Sequence, residues 1–329
     1  MTNQKLPHRR QFLHLAASAA ALPAVSRIAR AQSYPMRPVR LIVGYPPAGT
    51  ADIVARLMGQ WLSERLGQQF IIENRPGAGG NIATEAVVRA PADGSTLLLV
   101  NSANAINATL YEKLNFNFIR DIAPVAGIMR APLVMEVSPS VPAKTVPEFI
   151  SYAKANPGKV NMGSAGVGTP VHVAGEMFKM MAGINLLHVP YRGSAPMLTD
   201  LLGGQVQVAF DILPASIEHI RSGKLLALAV TTETRSEALP EVPTANTFVP
   251  GYEASYVNGV GAPKNTPNEI IDLLNREINA GLANPKMKAP LSELGVAALP
   301  GSPADFQRLI ADETEKWAKV VKFAGIKAD

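Results

Sequence analysis

Short apolar runs alternate with longer amphipathic stretches along almost the whole chain. Residues 39–43, 70–72, 96–100, 206–210 and 225–230 read as buried strands, by their brevity and their aliphatic content. The stretches between them carry helix-start signals. Thr145-Val-Pro-Glu148, Thr266-Pro-Asn-Glu269 and Ser302-Pro-Ala-Asp305 each place a capping hydroxyl three residues ahead of an acid. In the last two, proline falls at the first helical position. Regular strand–helix alternation predicts an α/β fold of parallel sheets with helices on both faces. Two proline-rich passages, from Pro132 to Pro142 and from Pro240 to about Val260, predict crossings between two domains. The expected division is a discontinuous first domain, 32–133 plus 254–329, and an inserted second domain, 134–253. Two consecutive domains remain the alternative on pattern alone.

The N-terminus changes how the charge is read. His8-Arg-Arg-Gln-Phe-Leu13, an Ala-rich apolar stretch and Ala29-Arg-Ala31 form the three regions of an export signal, expected over residues 1–31. The paired arginines resemble a twin-arginine signal; an ordinary secretory signal is the alternative. The chain has a formal charge of +5. Residues 1–31 hold five basic residues and no acid, so their removal lowers Lys+Arg from 31 to 26, equal to the 26 Asp+Glu. A neutral mature body gives no basis for nucleic-acid or membrane-surface binding. The absence of cysteine excludes disulfides, thiolate nucleophiles and cysteine metal sites.

Three glycine-rich loops carry the candidate chemistry. Gly44-Tyr-Pro-Pro-Ala-Gly-Thr-Ala-Asp52 and Glu73-Asn-Arg-Pro-Gly-Ala-Gly-Gly-Asn81 each pass from strand to helix, and Gly163-Ser-Ala-Gly-Val-Gly-Thr-Pro170 opens a third helix. Thr50, Asn81 and Thr169 are placed as helix caps. First-turn amides without intrahelical partners, together with the helix dipole, make such termini anion sites. Simple tight turns would explain any one loop; three of one kind favour a carboxylate-binding site. Neither a Walker lysine, nor a third dinucleotide glycine, nor a Gly-x-Ser-x-Gly elbow, nor a His-Glu-x-x-His pair is present.

These strings, with Val-Pro-Tyr-Arg-Gly193 and Phe210-Asp211, resemble the Bug family of solute receptors, the TctC-type receptors of tripartite tricarboxylate transporters. They occur in order along nearly the whole mature chain. That family usually has Phe-Pro-Pro-Gly-Gly in the first loop, where Tyr45 and Ala48 stand here. The resemblance implies a type II periplasmic-binding-protein-like fold, with two doubly wound α/β domains and a ligand cleft between them. It implies carboxylate binding by Gly49, Thr50, Ala51, Ser164, Gly168 and Thr169, and more weakly by Ala78 and Gly79. It also implies an inner-membrane permease of the tripartite tricarboxylate type as partner.

Single residues add to this picture. Tyr45 is read as cleft wall or core. Asp211 is read as a ligand contact, with a helix cap or hinge bond as the alternative. Arg192 pairs either with a distal carboxylate or with a surface acid. His172 and Glu176, one turn apart, pack near the cleft, and no third metal ligand accompanies them. The expected function is a monomeric periplasmic receptor that captures a small carboxylate and delivers it to a transporter, without enzymatic activity, cofactor or metal. The alternatives are a ligand sensor for a periplasmic signalling partner and an exported hydrolase using Ser164, His172 and Asp211.

Overall fold

The computed structural model describes residues 34–328, so the expected export segment lies outside the described residues. The frame is a ten-stranded sheet in the order β2-β1-β3-β9-β4-β7-β5-β6, with β8 and β10 also pairing β4. In the first half, β1 (Val39–Val43) lies between β2 (Phe70–Asn74) and β3 (Thr96–Asn101), all parallel. In the second half, β5 (Asn161–Ser164) lies parallel to β6 (Leu187–Pro190) and β7 (Val208–Ile212).

One strand belongs to both halves. β4 runs through sixteen residues, Ile122–Val137. Up to Pro132 it pairs antiparallel with β9 (Ser255–Pro263) and with β10 (Ala297–Ala298). From Leu133 onward it pairs antiparallel with β7 and with β8 (Leu226–Val230). The expectation of purely parallel sheets is therefore corrected: every pairing made by β4 and β9 is antiparallel. Of the prolines that signal a crossing, Pro132 lies within β4, whereas Pro240, Pro243 and Pro250 lie in the irregular segment between β8 and β9. The register of β4 shifts between Pro124 and Ala126, and the partners change just after Pro132. A proline cannot donate to a ladder, so it is accommodated where the ladder is irregular or ends.

Helices cover both faces. The first half carries α1 (Thr50–Leu66), α2 (Asn81–Val88), α3 (Ser102–Leu110) and the single turn α4 (Phe118–Asp121). The second carries α5 (Val146–Ala155), α6 (Pro170–Ala182), α7 (Ser194–Leu202) and α8 (Leu213–Arg221). The chain then returns through α9 (Asn268–Ala283), α10 (Pro285–Glu293) and α11 (Pro303–Ala324). α11 packs on α3 and on α6, and so touches both halves. Its anchor is Trp317, fully buried, whose indole N–H donates to Glu313 Oε2 at 2.6 Å.

Two of the three expected helix starts form as read. Thr145 accepts from the Glu148 amide, and Ser302 and Asp305 close a reciprocal capping box. Thr266 does not cap α9; its hydroxyl donates to Pro263 O at 2.7 Å, and Pro267 stands at the cap position without a side-chain bond. Among the described residues, no helix is long and apolar enough to cross a membrane.

Candidate functional site

The first loop ends in a helix start that no side chain closes. Gly49 is the extended N-cap of α1 and Thr50 is already helical, so the Thr50 hydroxyl does not cap. The first-turn amides of α1 are left for water or a ligand. Asp52, in that first turn, is buried, and both of its oxygens are used. Oδ2 accepts from the Ala48 amide and Arg56 Nε, and Oδ1 from Arg56 Nη2 and Asn74 Nδ2, each at 2.9 Å. Burial opposes ionisation of this carboxyl, yet the bonds from Arg56, Ala48 and Asn74 hold its pKa below the ordinary value. Its charge is thus matched within the protein and does not repel an anion at the helix end. Ala48 sits at φ 69°, a left-handed conformation that costs an alanine energy.

The second loop is built from consecutive left-handed residues, Ala78 at φ 46°, Gly79 at 63° and Gly80 at 92°. Gly80 is the N-cap of α2, again without a side-chain bond, and Asn81 is the first helical residue and not the expected cap. The two loops touch: a Cβ on Gly44 would lie 2.8 Å from Gly80 Cα, and the Tyr45 ring lies 3.8 Å from a Cβ on Gly80. α3 supports this junction. Asn107 Nδ2 donates to Gly79 O at 2.9 Å and to Asn81 Oδ1 at 3.1 Å, and a Cβ on Gly79 would come within 3.2 Å of the Tyr111 hydroxyl.

The third loop is closed by its own hydrogen bonds. Thr169 caps α6 as read from the sequence, accepting from the His172 amide, and its hydroxyl donates to Gly166 O at 2.7 Å. The Thr169 amide donates to Gly166 O, and the Gly168 amide donates to His172 Nδ1 at 3.0 Å. That bond requires an unprotonated Nδ1, which leaves the imidazole proton on Nε2, facing Glu176 Oε1 at 3.6 Å. Ser164 is fully buried and its Oγ lies 2.6 Å from His188 Nε2. The rings of His172 and His188 stack at 3.6 Å. Burial, and then the neighbouring His172, push the His188 pKa down to about 4.

The end of α3 gathers the loops. Asn107 and Tyr111 meet the second loop, and Leu110 fills the space against Gly168, where an added Cβ would strike its Cδ2. The fold therefore brings Tyr45 against Gly80, next in the chain to Ala78 and Gly79, and joins Gly79 and Gly168 to the same helix. Asp211 is placed differently. It is fully buried, with Oδ1 accepting from the Ser194 hydroxyl at 2.7 Å and from the Ile212 amide, while Oδ2 has no partner. Burial raises its pKa to about 6 against those bonds. Ser164, His172 and Asp211 do not assemble as a catalytic triad, because each is bonded to a different group. Glu176 is held by Lys179 at 2.8 Å, and no third metal ligand joins it and His172 among the described residues. Arg192 is exposed.

A family model described as "Tripartite tricarboxylate transporter family receptor" matches residues 54–326. This chain belongs to that receptor family. Among its relatives, "Protein BugT" of Bordetella pertussis is 38% identical over 300 residues, covering 90% of this chain and 92% of the other. Among solved structures, R. palustris Rpa4515 with adipate is 40% identical with a TM-score of 0.81, covering 89% of this chain and 99% of that one. MatC from Rhodopseudomonas palustris with bound malate is 29% identical with a TM-score of 0.77, covering 88% and 100%. The fold is accordingly that of the two-domain α/β periplasmic binding proteins, and the tricarboxylate-transporter receptors are solute-binding proteins.

In this receptor the sequence reading overlooked Asn107, Leu110, Tyr111 and His188. Asn107 and Tyr111 are one helical turn apart and so share a face, the one available signal. His188 gave none, because its partner Ser164 lies on a different strand.

Proposed function

We propose that the chain is a periplasmic receptor which captures a small carboxylate between its two domains and delivers it to an inner-membrane permease of the tripartite tricarboxylate type, without catalysing a reaction. The observation that carries this reading is the pair of helices α1 and α2. Both start at a glycine with no side-chain cap, and their loops touch at Gly44 and Gly80. Amides and dipoles from two helix ends converge there on one region. A hydrogen bond to a charged group contributes about 1.5–3 kcal/mol, so a few of them reach micromolar affinity, about −8 kcal/mol. The bound adipate and malate of two similar structures fit the same ligand class.

Within this proposal Gly49, Thr50, Ala51, Ala78 and Gly79 present the amides, and Tyr45 forms the wall beside them. Ser164, Gly168, Thr169 and Asp211 form the opposite wall; their polar groups are largely bonded within the protein and set its shape. Residues 1–31 are the export signal. The domain boundaries are 32–133 plus 254–329 and 134–253, supported by the change of β4 partners after Pro132 and by the start of β9 at Ser255. The protein acts as a monomer.

A thermal-shift screen of organic acids, followed by calorimetry on the stabilising ones, tests the assignment, since a ligand that binds the folded state raises the melting temperature. Saturable binding of a dicarboxylate without turnover is the expected result. Failure of every carboxylate to bind, or hydrolysis of ester substrates, overturns it.

A further inference from the structure

One hollow of the molecule lies away from the three loops. It is a cavity of about 450 Å³, and no residue of the three loops lines it. Three parts of the chain build it: β4 where its partners change, at Arg130 and Pro132; the segment after β8, residues 232–238; and α10 with β10. Both halves of the sheet therefore contribute to one cavity.

Its walls divide by chemistry. Pro132, Ala238, Leu291, Val296, Ala297 and Ala298 make an apolar lining. Arg130 is the charged residue built into the sheet itself, paired with Val257 of β9 and Ala297 of β10. Its Nε is buried and has no hydrogen-bond partner. Its nearest acid, Glu253, stands 3.8 Å from Nη1, too far for a hydrogen bond. Lys316 engages the other oxygen of Glu253, its Nζ 2.8 Å from Oε2, while Oε1, facing Arg130, is likewise buried without a hydrogen-bond partner. A buried guanidinium nitrogen without an acceptor is costly, and an arriving carboxylate or phosphate would relieve that cost. Lys288 and Arg235 add positive charge at the exposed rim, opposed there by Glu233 and Glu237. Arg130 is the charge that the sheet brings to the wall, with Glu253 behind it, while the rim is mixed.

We propose that this cavity is a second ligand site, for a monocarboxylate with an apolar body, aromatic or short-chain aliphatic. Arg130 takes the carboxylate head and the Pro132–Leu291–Val296 wall takes the body. The volume is within the range of small-molecule pockets, and the division between one half-buried guanidinium and apolar walls is their usual construction. A polyanion is less suited, because Glu233 and Glu237 stand at the mouth.

Benzoate and hexanoate titrated into methyl-labelled receptor test this, read by methyl resonances. Saturable shifts are expected at Leu291 and Val296, with the Leu110 methyls marking the separate loop region. Arg130→Gln is expected to weaken those shifts at least tenfold. Should Arg130→Gln fail to fold, Ala297→Glu at an exposed position puts a like charge on the cavity wall and is expected to abolish them. Thr50→Pro, which alters the loop region, is expected to leave them unchanged. Shifts confined to Leu110, or shifts at Leu291 that survive both cavity variants, overturn the proposal.

Discussion

Asp211 holds a charge that the fold does not balance, and removing it is expected to stabilise the protein. The side chain is fully buried, its Oδ2 has no partner, and Glu136, also fully buried, sits two residues along the neighbouring strand from its cross-strand partner Val134. Burial, and then the nearby Asp211, push the Glu136 pKa well above the ordinary value. Asp211 moves from 3.8 to about 6. The folded protein therefore binds more protons than the unfolded chain between those values, and stability falls as pH rises through that window. One pKa unit corresponds to about 1.4 kcal/mol, so the ionised carboxylate costs up to about 3 kcal/mol above pH 6. Asp211→Asn keeps an acceptor for the Ser194 hydroxyl and the Ile212 amide. Urea unfolding followed by circular dichroism should show the variant about 1–3 kcal/mol more stable than the parent at pH 7.5. The difference should shrink towards zero near pH 4. A variant less stable at pH 7.5, or a difference that does not change with pH, refutes the reasoning.

Four further outcomes follow from the loops. Thr50→Pro removes one amide at the first helical position, where proline is well tolerated; calorimetry should show carboxylate affinity falling about 10–100-fold, by the loss of a single hydrogen bond to a charged group, while helical content is unchanged. Thr169→Ala deletes a formed cap, and denaturant unfolding should register a loss of about 1 kcal/mol. Ala48→Gly relieves a residue at φ 69° and should raise stability by about 0.5–1 kcal/mol, since left-handed backbone suits glycine. His188 stays neutral in the fold down to about pH 4, whereas the unfolded imidazole protonates near 6.5. The unfolded chain thus binds more protons in that window, and the His188 contribution is present above pH 6.5 and is lost as pH falls towards 4. A His188→Gln variant should show a flatter stability profile over that range, and an unaltered profile would count against the buried imidazole pair.

Much of this receptor was legible in one dimension because local chemistry set it. Left-handed glycines, a hydroxyl three residues before an acid and apolar runs of strand length act over a few residues, so the strand-to-helix placement of the three loops and the starts of α5, α6 and α11 read correctly. Tertiary structure decided what depends on distant partners. The passage from Pro132 read as a proline-rich crossing, because the ladders that make β4 a strand come from β7, β8, β9 and β10, as much as 169 residues away at Met129 and Ala298. The hydroxyl of Thr266 found a backbone carbonyl in place of its helix, and Thr50 and Asn81 entered their helices and left glycines at the caps. Asn107, Tyr111 and His188 became part of the site only when α3 and β6 were packed against the loops. Arg130 was one basic residue among many until the sheet buried its Nε beside a cavity. Burial and hydrogen-bond satisfaction are properties of the closed fold, and no local pattern encodes which polar atom is left without a partner.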